Sequence, residues 1–132
     1  MASESGRNTA SVKESLYERP SRFEFFQAVR LLRRLRHDAA GIGEDDPDQE
    51  ALRFRSEVSL SFPARDIAKL EPPSEEERAA VMTVAFLGMA TAGSFGSLPT
   101  RYTEEILEQE KQKNFALRDF FDLFNHRFVS LF

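Results

Sequence analysis

The sequence predicts an α+β fold made of an N-terminal amphipathic helix, a small β-sheet and two C-terminal helices. Three observations carry this prediction. Apolar residues recur at helical spacing over residues 22–36, apolar and polar residues alternate over 52–62, and a stripe of phenylalanine at helical spacing occupies 114–132.

Residues 1–19 mix Ser, Gly, Asn, Thr and Ala without a period and read as a disordered polar tail, leaving 20–132 for the fold. After Pro20, Ser21 and Glu24 have the spacing of a capping box, in which each side chain satisfies the other residue's free amide. In the helix that follows, Phe25, Ala28, Val29, Leu31, Leu32 and Leu35 share one side and Arg30, Arg33 and Arg34 the other, with Phe26 beside the arginines. Residues 41–50 read as a loop, because Gly43, Pro47 and the acids Glu44, Asp45, Asp46, Asp48 and Glu50 prevent any apolar period.

Leu52, Phe54, Val58, Leu60 and Phe62 then point one way and Arg53, Arg55, Glu57, Ser59 and Ser61 the other, the pattern of a strand or strand pair closed by Pro63. The next stretch, ending in Pro72, Pro73 and Ser74, reads as a second loop. Residues 79–87, rich in Val, Thr, Ala and Phe, read as a buried strand, with their shortness leaving a helix open. Gly93, Ser94, Gly96 and Ser97 demand a turn. A polar helix starts near 100–103, anchored by Tyr102, Ile106 and Leu107, with Glu104 and Glu105 expected in its first turn. In the last helix Leu117, Phe120, Phe121, Phe124, Phe128, Leu131 and Phe132 fall within an arc of roughly 120°, while Asp119, Asp122 and His126 form a polar face.

Composition narrows the function. The 132 residues are about one domain, and 18 Lys and Arg against 22 Asp and Glu give a net charge of −4, with no general basic field to attract nucleic acid or anionic lipid. Without cysteine there is no disulfide framework, thiolate nucleophile or Cys-based metal site. No apolar run approaches the roughly 18 residues that suggest a membrane span, and the N-terminus lacks the apolar stretch of a signal peptide. Thirteen Phe and no Trp are present, with Phe crowded toward the end of the chain, which closes on Ser130, Leu131 and Phe132 in mid-helix. Such an ending implies a partner over that surface or a fragment of a longer protein.

Candidate chemistry is thin. Asp122 and His126 at i and i+4, with Asp119, are the spacing for a metal-dependent hydrolase, but no second segment adds ligands, and the bland reading is a solvated face with a local Asp–His contact. The loop 93–97 lacks the Lys of a phosphate-binding loop, and no serine sits in a nucleophile elbow. Arg30, Arg33, Arg34 and Arg36 form a basic face for an acidic protein or, as a further alternative, a nucleic acid, unless the acidic loop at 44–50 neutralises it. No catalytic, cofactor-binding or metal residue is nominated. The partner-binding candidates are Phe25, Phe26, Val29, Leu32, Phe121, Phe124, Phe128, Leu131 and Phe132.

Four ordered blocks resemble a known family. They are Phe23 to Leu32; Leu52 to Ser56 with Ser59 to Ala64, Asp66 and Ile67; Phe86, Leu87 and Gly88 with Leu98, Pro99, Tyr102, Thr103 and Glu104; and Phe121 to Arg127 with Ser130, Leu131 and Phe132. Over residues 21–132 the chain resembles the N-terminal part of TssG, also called ImpH or VasB, of the type VI secretion baseplate. It departs from the family pattern at 89–97, where a Gly-Pro-rich turn is expected, and it looks truncated after the last block. The resemblance implies a non-enzymatic wedge subunit of a contractile injection machine, without cofactors. It would assemble with TssF and TssK in the cytoplasm, at the cytoplasmic face of the inner membrane, with this segment chiefly serving TssF contacts and later parts of the chain contacting TssK.

Overall fold

The computed structural model describes residues 4–36, 41–43, 46, 49–76, 78–86 and 97–132, with side chains from residue 11 onward. Four helices and a three-stranded sheet make up the described part, so the fold is α+β.

The first element departs from the sequence reading. A helix, α1, spans Glu4–Glu18, where a disordered tail is expected. Only its last turns carry apolar groups, too few to give a periodic signal. Leu16 is nevertheless fully buried in the main core, and Tyr17 packs half-buried beside it. Tertiary burial thus outweighs a weak local preference. Pro20 ends the helix and opens a 3₁₀ turn, Pro20–Arg22.

Helix α2 runs Phe25–Leu35, three residues shorter at its start than expected, because the capping box does not form: Glu24 occupies the N-cap without a side-chain hydrogen bond. The free Phe25 N–H instead donates to Asp66 Oδ2 at 3.4 Å, 41 residues away. A cap from a distant loop ties the helix start to the strand that follows Asp66. Asp66→Ala should therefore cost about 0.5–1 kcal/mol in chemical denaturation, whereas Ser21→Ala should cost almost nothing. Equal effects of the two would mean that the local box forms in solution.

Strand β1 is Leu52–Ser56, β2 is Ile67–Glu71 and β3 is Ala80–Val84, in the order β1-β3-β2. The central strand β3 pairs parallel with β1, Leu52 opposite Ala80 and Ser56 opposite Val84, and antiparallel with β2. The expected strand over 52–62 therefore stops early. Its ladder closes with Glu57 N–H donating to Val84 O at 2.8 Å, and beyond this Leu60 and Phe62 are exposed, Phe62 at 79%. β2, read as loop from sequence, has a register shift between Ile67 and Lys69, which puts Ile67 and Leu70 on the core side and removes the two-residue alternation. The strand at 79–87 is present as β3; Leu87 and the turn at 88–96 lie outside the described residues.

Helix α1, helix α2 and one face of the sheet enclose the core: Leu16, Phe25, Ala28 and Leu32 meet Leu52, Phe54, Ile67, Met82 and Val84. Phe25 touches both Phe54 and Phe86, at ring separations of 5.7 and 5.5 Å. Helix α4, Ala116–Leu131, packs along β1 and sends Val129 into this core, while helix α3, Thr100–Lys111, packs on α4 through a second, smaller core of Ile106 and Phe121. Helix α3 starts at Thr100, so Glu104 and Glu105 fall beyond its first turn, and only Thr103 and Ile106 are buried. The turn into α4 places Lys113 at φ 58°, and Asn114 Oδ1 accepts from Ala116 N–H at 3.2 Å. Arg118 fastens the two helices by reaching Glu110 at 3.3 Å while lying 4.6 Å over the Phe115 ring.

Candidate functional site: a clasped edge strand and an outward aromatic face

β1 is an edge strand, and alternate N–H groups along it point away from β3 with no strand to receive them. α4 receives them with side chains. Phe54 N–H donates to His126 Nδ1 at 3.1 Å, and Ser56 N–H donates to Asp122 Oδ1 at 3.1 Å. The spacing makes this possible: four residues of helix advance about 6.0 Å and two residues of strand about 6.6 Å, so an i, i+4 pair meets an i, i+2 pair of donors. Asn125, buried between them, donates to Asp122 Oδ1 at 3.1 Å.

Glu50, only 3% exposed, completes the clasp. Its Oε1 accepts from Gly43 N–H at 3.1 Å, and its Oε2 lies 2.9 Å from His126 Nε2, though without the alignment of a good hydrogen bond. Because Nδ1 accepts a hydrogen bond, the proton of a neutral imidazole sits on Nε2, facing Glu50. Burial holds His126 below its ordinary pKa; Glu50 opposes this, while Arg53 and Arg127 reinforce it. Burial also raises Asp122, against the Ser56 and Asn125 hydrogen bonds and the charges of Arg55 and Arg118, and Asp122 Oδ2 has no hydrogen-bond partner.

Gly43 is a structural requirement here. Its φ is +79°, and a Cβ would come within 3.1 Å of both Ser130 Cβ and Ser130 O. That close approach lets Arg127 donate to Gly43 O at 2.7 Å, so loop and helix are tied from both sides.

The polar face of α4, expected in solvent, is partly turned inward: Asp122 and His126 are half-buried against β1, whereas Asp119 is exposed. Of the phenylalanine arc, Phe121 is buried, while most of the rest turns outward, because the edge of β1 offers α4 unpaired amides. Phe124, Phe128, Leu131 and Phe132 are 45–68% exposed, as are Phe120 and Leu123, while Val129, outside the arc, is buried. Among the nominated partner residues Phe25, Leu32 and Phe121 are consumed by the protein's own cores, Val29 is half-buried, and Phe26 is exposed and stacks on Phe132 at 5.6 Å. Glu50 was missed as a site residue. Its acidic neighbours hide it, although its place directly before the apolar strand is a usable signal.

The hydrolase alternative loses its ligands. Asp122 and His126 are engaged with backbone amides, Asp119 pairs with Arg118 at 2.8 Å, and no group of three or more potential ligands occurs among the described residues. A cavity of about 320 Å³ between β1 and α4 is lined by both arginines of β1, Arg53 and Arg55, together with Asp119, Asp122 and His126, a charge-mixed setting without a poised nucleophile. Among the described residues no helix is long and apolar enough to cross a membrane.

What the fold and site define is a small α+β unit, closed on the inside by a polar helix-to-strand clasp and open on the outside along an aromatic helix. The family model described as "Type VI secretion, TssG" matches residues 19–132, and the chain belongs to that family. Neither curated proteins nor solved structures give a match.

Proposed function

We propose that the chain is a non-enzymatic structural subunit of the type VI secretion baseplate wedge, held in assemblies by a TssF-like partner and helping to recruit a TssK-like one. Family membership supports the machine, and one observation supports the mode of action. The outer side of α4 carries Phe120, Leu123, Phe124, Phe128 and Leu131, all exposed, along a single helix face. A continuous apolar surface of this kind marks a protein interface. The buried polar groups, in contrast, are committed to holding α4 in place, which leaves positioning rather than bond-making as their role. In the assembled machine this unit would lie in the cytoplasm against the inner-membrane complex.

Co-expression with the TssF homologue from the same source tests the reading. A stable complex should co-purify, and light scattering should show the isolated chain self-associating until the partner is added. A monodisperse chain that ignores the TssF homologue would overturn the proposal.

A further inference from the structure

The arginines of α2 remain unexplained by the α4 interface. Arg30, Arg33 and Arg34 are exposed, and their side chains make no hydrogen bond or ion pair with any described residue. The acidic loop, expected to neutralise them, sends Glu50 inward to His126 and Gly43; Glu44, Asp45 and Asp48 lie outside the described residues. Complementing the helix dipole accounts for Arg33 and Arg34, which stand in the last turn of α2, but not for Arg30.

The same surface is grooved. Phe26, Arg30 and Arg34 form one ridge at i+4 spacing, and Val29 and Arg33 form the next, with an open groove between them. Phe26 is 57% exposed beside these cations, although it has Phe25 and Phe132 as ring neighbours. An apolar floor thus lies beside three guanidiniums that have no partner among the described residues, on a chain whose net charge is −4.

We propose that this groove on α2 docks an acidic amphipathic segment of a protein partner, with carboxylates on Arg30, Arg33 and Arg34 and an apolar side chain seated against Phe26 and Val29. Guanidinium groups suit carboxylates because their planar donors can bind both oxygens at once. Carboxylates at i, i+3 and i+4 on a helix repeat the spacing of the three arginines, so an acidic helix laid along α2 engages all of them. Duplex DNA fits less well. Three phosphate contacts give weak, strongly salt-dependent binding, the chain as a whole carries a net charge of −4, and the Phe26–Val29 floor has no use for a sugar-phosphate backbone. The groove adjoins the end of α4 through the Phe26–Phe132 stack, but its arginines lie on α2, and the proposal does not depend on the α4 interface.

The probe is a synthetic amphipathic helix of about 18 residues, with Glu at i, i+3 and i+4 around a Leu anchor, added to the intact chain immobilised at low density. Binding should weaken about tenfold or more when Arg30, Arg33 and Arg34 are all replaced by Glu, and about as much when the peptide's Glu become Gln. Phe26→Ala should weaken it several-fold, and ionic strength raised from about 0.05 to about 0.3 M should weaken it further. All four substituted side chains are exposed, and circular dichroism checks that the variants keep the native spectrum. Phe124→Ala should change peptide binding less than about twofold while impairing the TssF complex, which separates failure of this proposal from failure of the α4 interface. Absence of peptide binding, indifference to the triple arginine variant, loss on Phe124→Ala, or tighter binding of duplex DNA or anionic vesicles than of the peptide would each overturn the proposal.

Discussion

His126→Ala is expected to lower the stability of the chain by about 2–4 kcal/mol, a fall of roughly 10 °C in melting temperature for a domain of this size. The substitution removes the acceptor for Phe54 N–H and the imidazole that faces the buried Glu50 carboxylate, leaving both groups without their partner on α4. A double-substitution cycle isolates the coupling. With Glu50→Gln in the background, the cost of His126→Ala should drop by about 1 kcal/mol or more, since a neutral amide is cheaper to leave unpaired than a carboxylate. A change below about 0.5 kcal/mol in the single variant would mean that α4 does not sit on the β1 edge.

The same residue sets a pH dependence whose sign follows from its depressed folded-state pKa. At neutral pH the imidazole is uncharged in both states and the clasp contributes fully. As pH falls through the ordinary histidine value, near 6.5, the unfolded chain takes up a proton that the folded chain resists, so stability drops with a slope of at most about 1.4 kcal/mol per pH unit. Asp122 acts in the opposite sense, because its raised folded-state pKa makes the folded chain protonate first; its contribution rises on acidification through that pKa, above 3.8. Denaturation curves between pH 7.5 and 5.5, taken at roughly half-unit steps, should therefore show a loss on acidification that His126→Ala flattens. An unchanged slope in the variant would assign the loss to other groups.

Phe124→Ala and Phe128→Ala should each weaken the complex with a TssF-like partner by about 2 kcal/mol, close to 30-fold, while changing the stability of the chain alone by about 1 kcal/mol or less. Both side chains are largely exposed, and the intramolecular loss for Phe124 is mainly its edge contact with the Phe120 ring, at 5.3 Å. Phe121→Ala, three positions before Phe124 on the same helix, should do the reverse and cost about 3 kcal/mol of stability, because its ring is buried with Ile106. Calorimetric binding and thermal melting on the same three proteins measure both quantities. If Phe124→Ala melts the chain while Phe121→Ala does not, α4 is rotated relative to this description.

Local patterning determined much of this protein. The 3.6-residue stripe that makes α2, the apolar run of β3, the α3 helix and the extent of α4 are each written in spacing that a single segment satisfies by itself, as is the absence of thiol chemistry. The family resemblance, too, is carried by consecutive residues, and it reached further than any composition argument. The tertiary structure alone decided which side of α4 faces inward. A helix wheel leaves the phenylalanine arc open to the chain's own sheet or to a partner, and places Asp122 and His126 in solvent. The polar pair turns inward because the edge of β1 presents unpaired backbone amides, which carboxylate and imidazole acceptors can receive and aromatic rings cannot, while Phe121 and Val129 supply the apolar contacts of α4. α1 and β2 escaped notice for a related reason. Among its described side chains α1 is held to the core by Leu16 and the half-buried Tyr17, and β2 has its alternation broken by a register shift, so that both are stabilised by contacts remote in sequence and leave little periodic trace of their own.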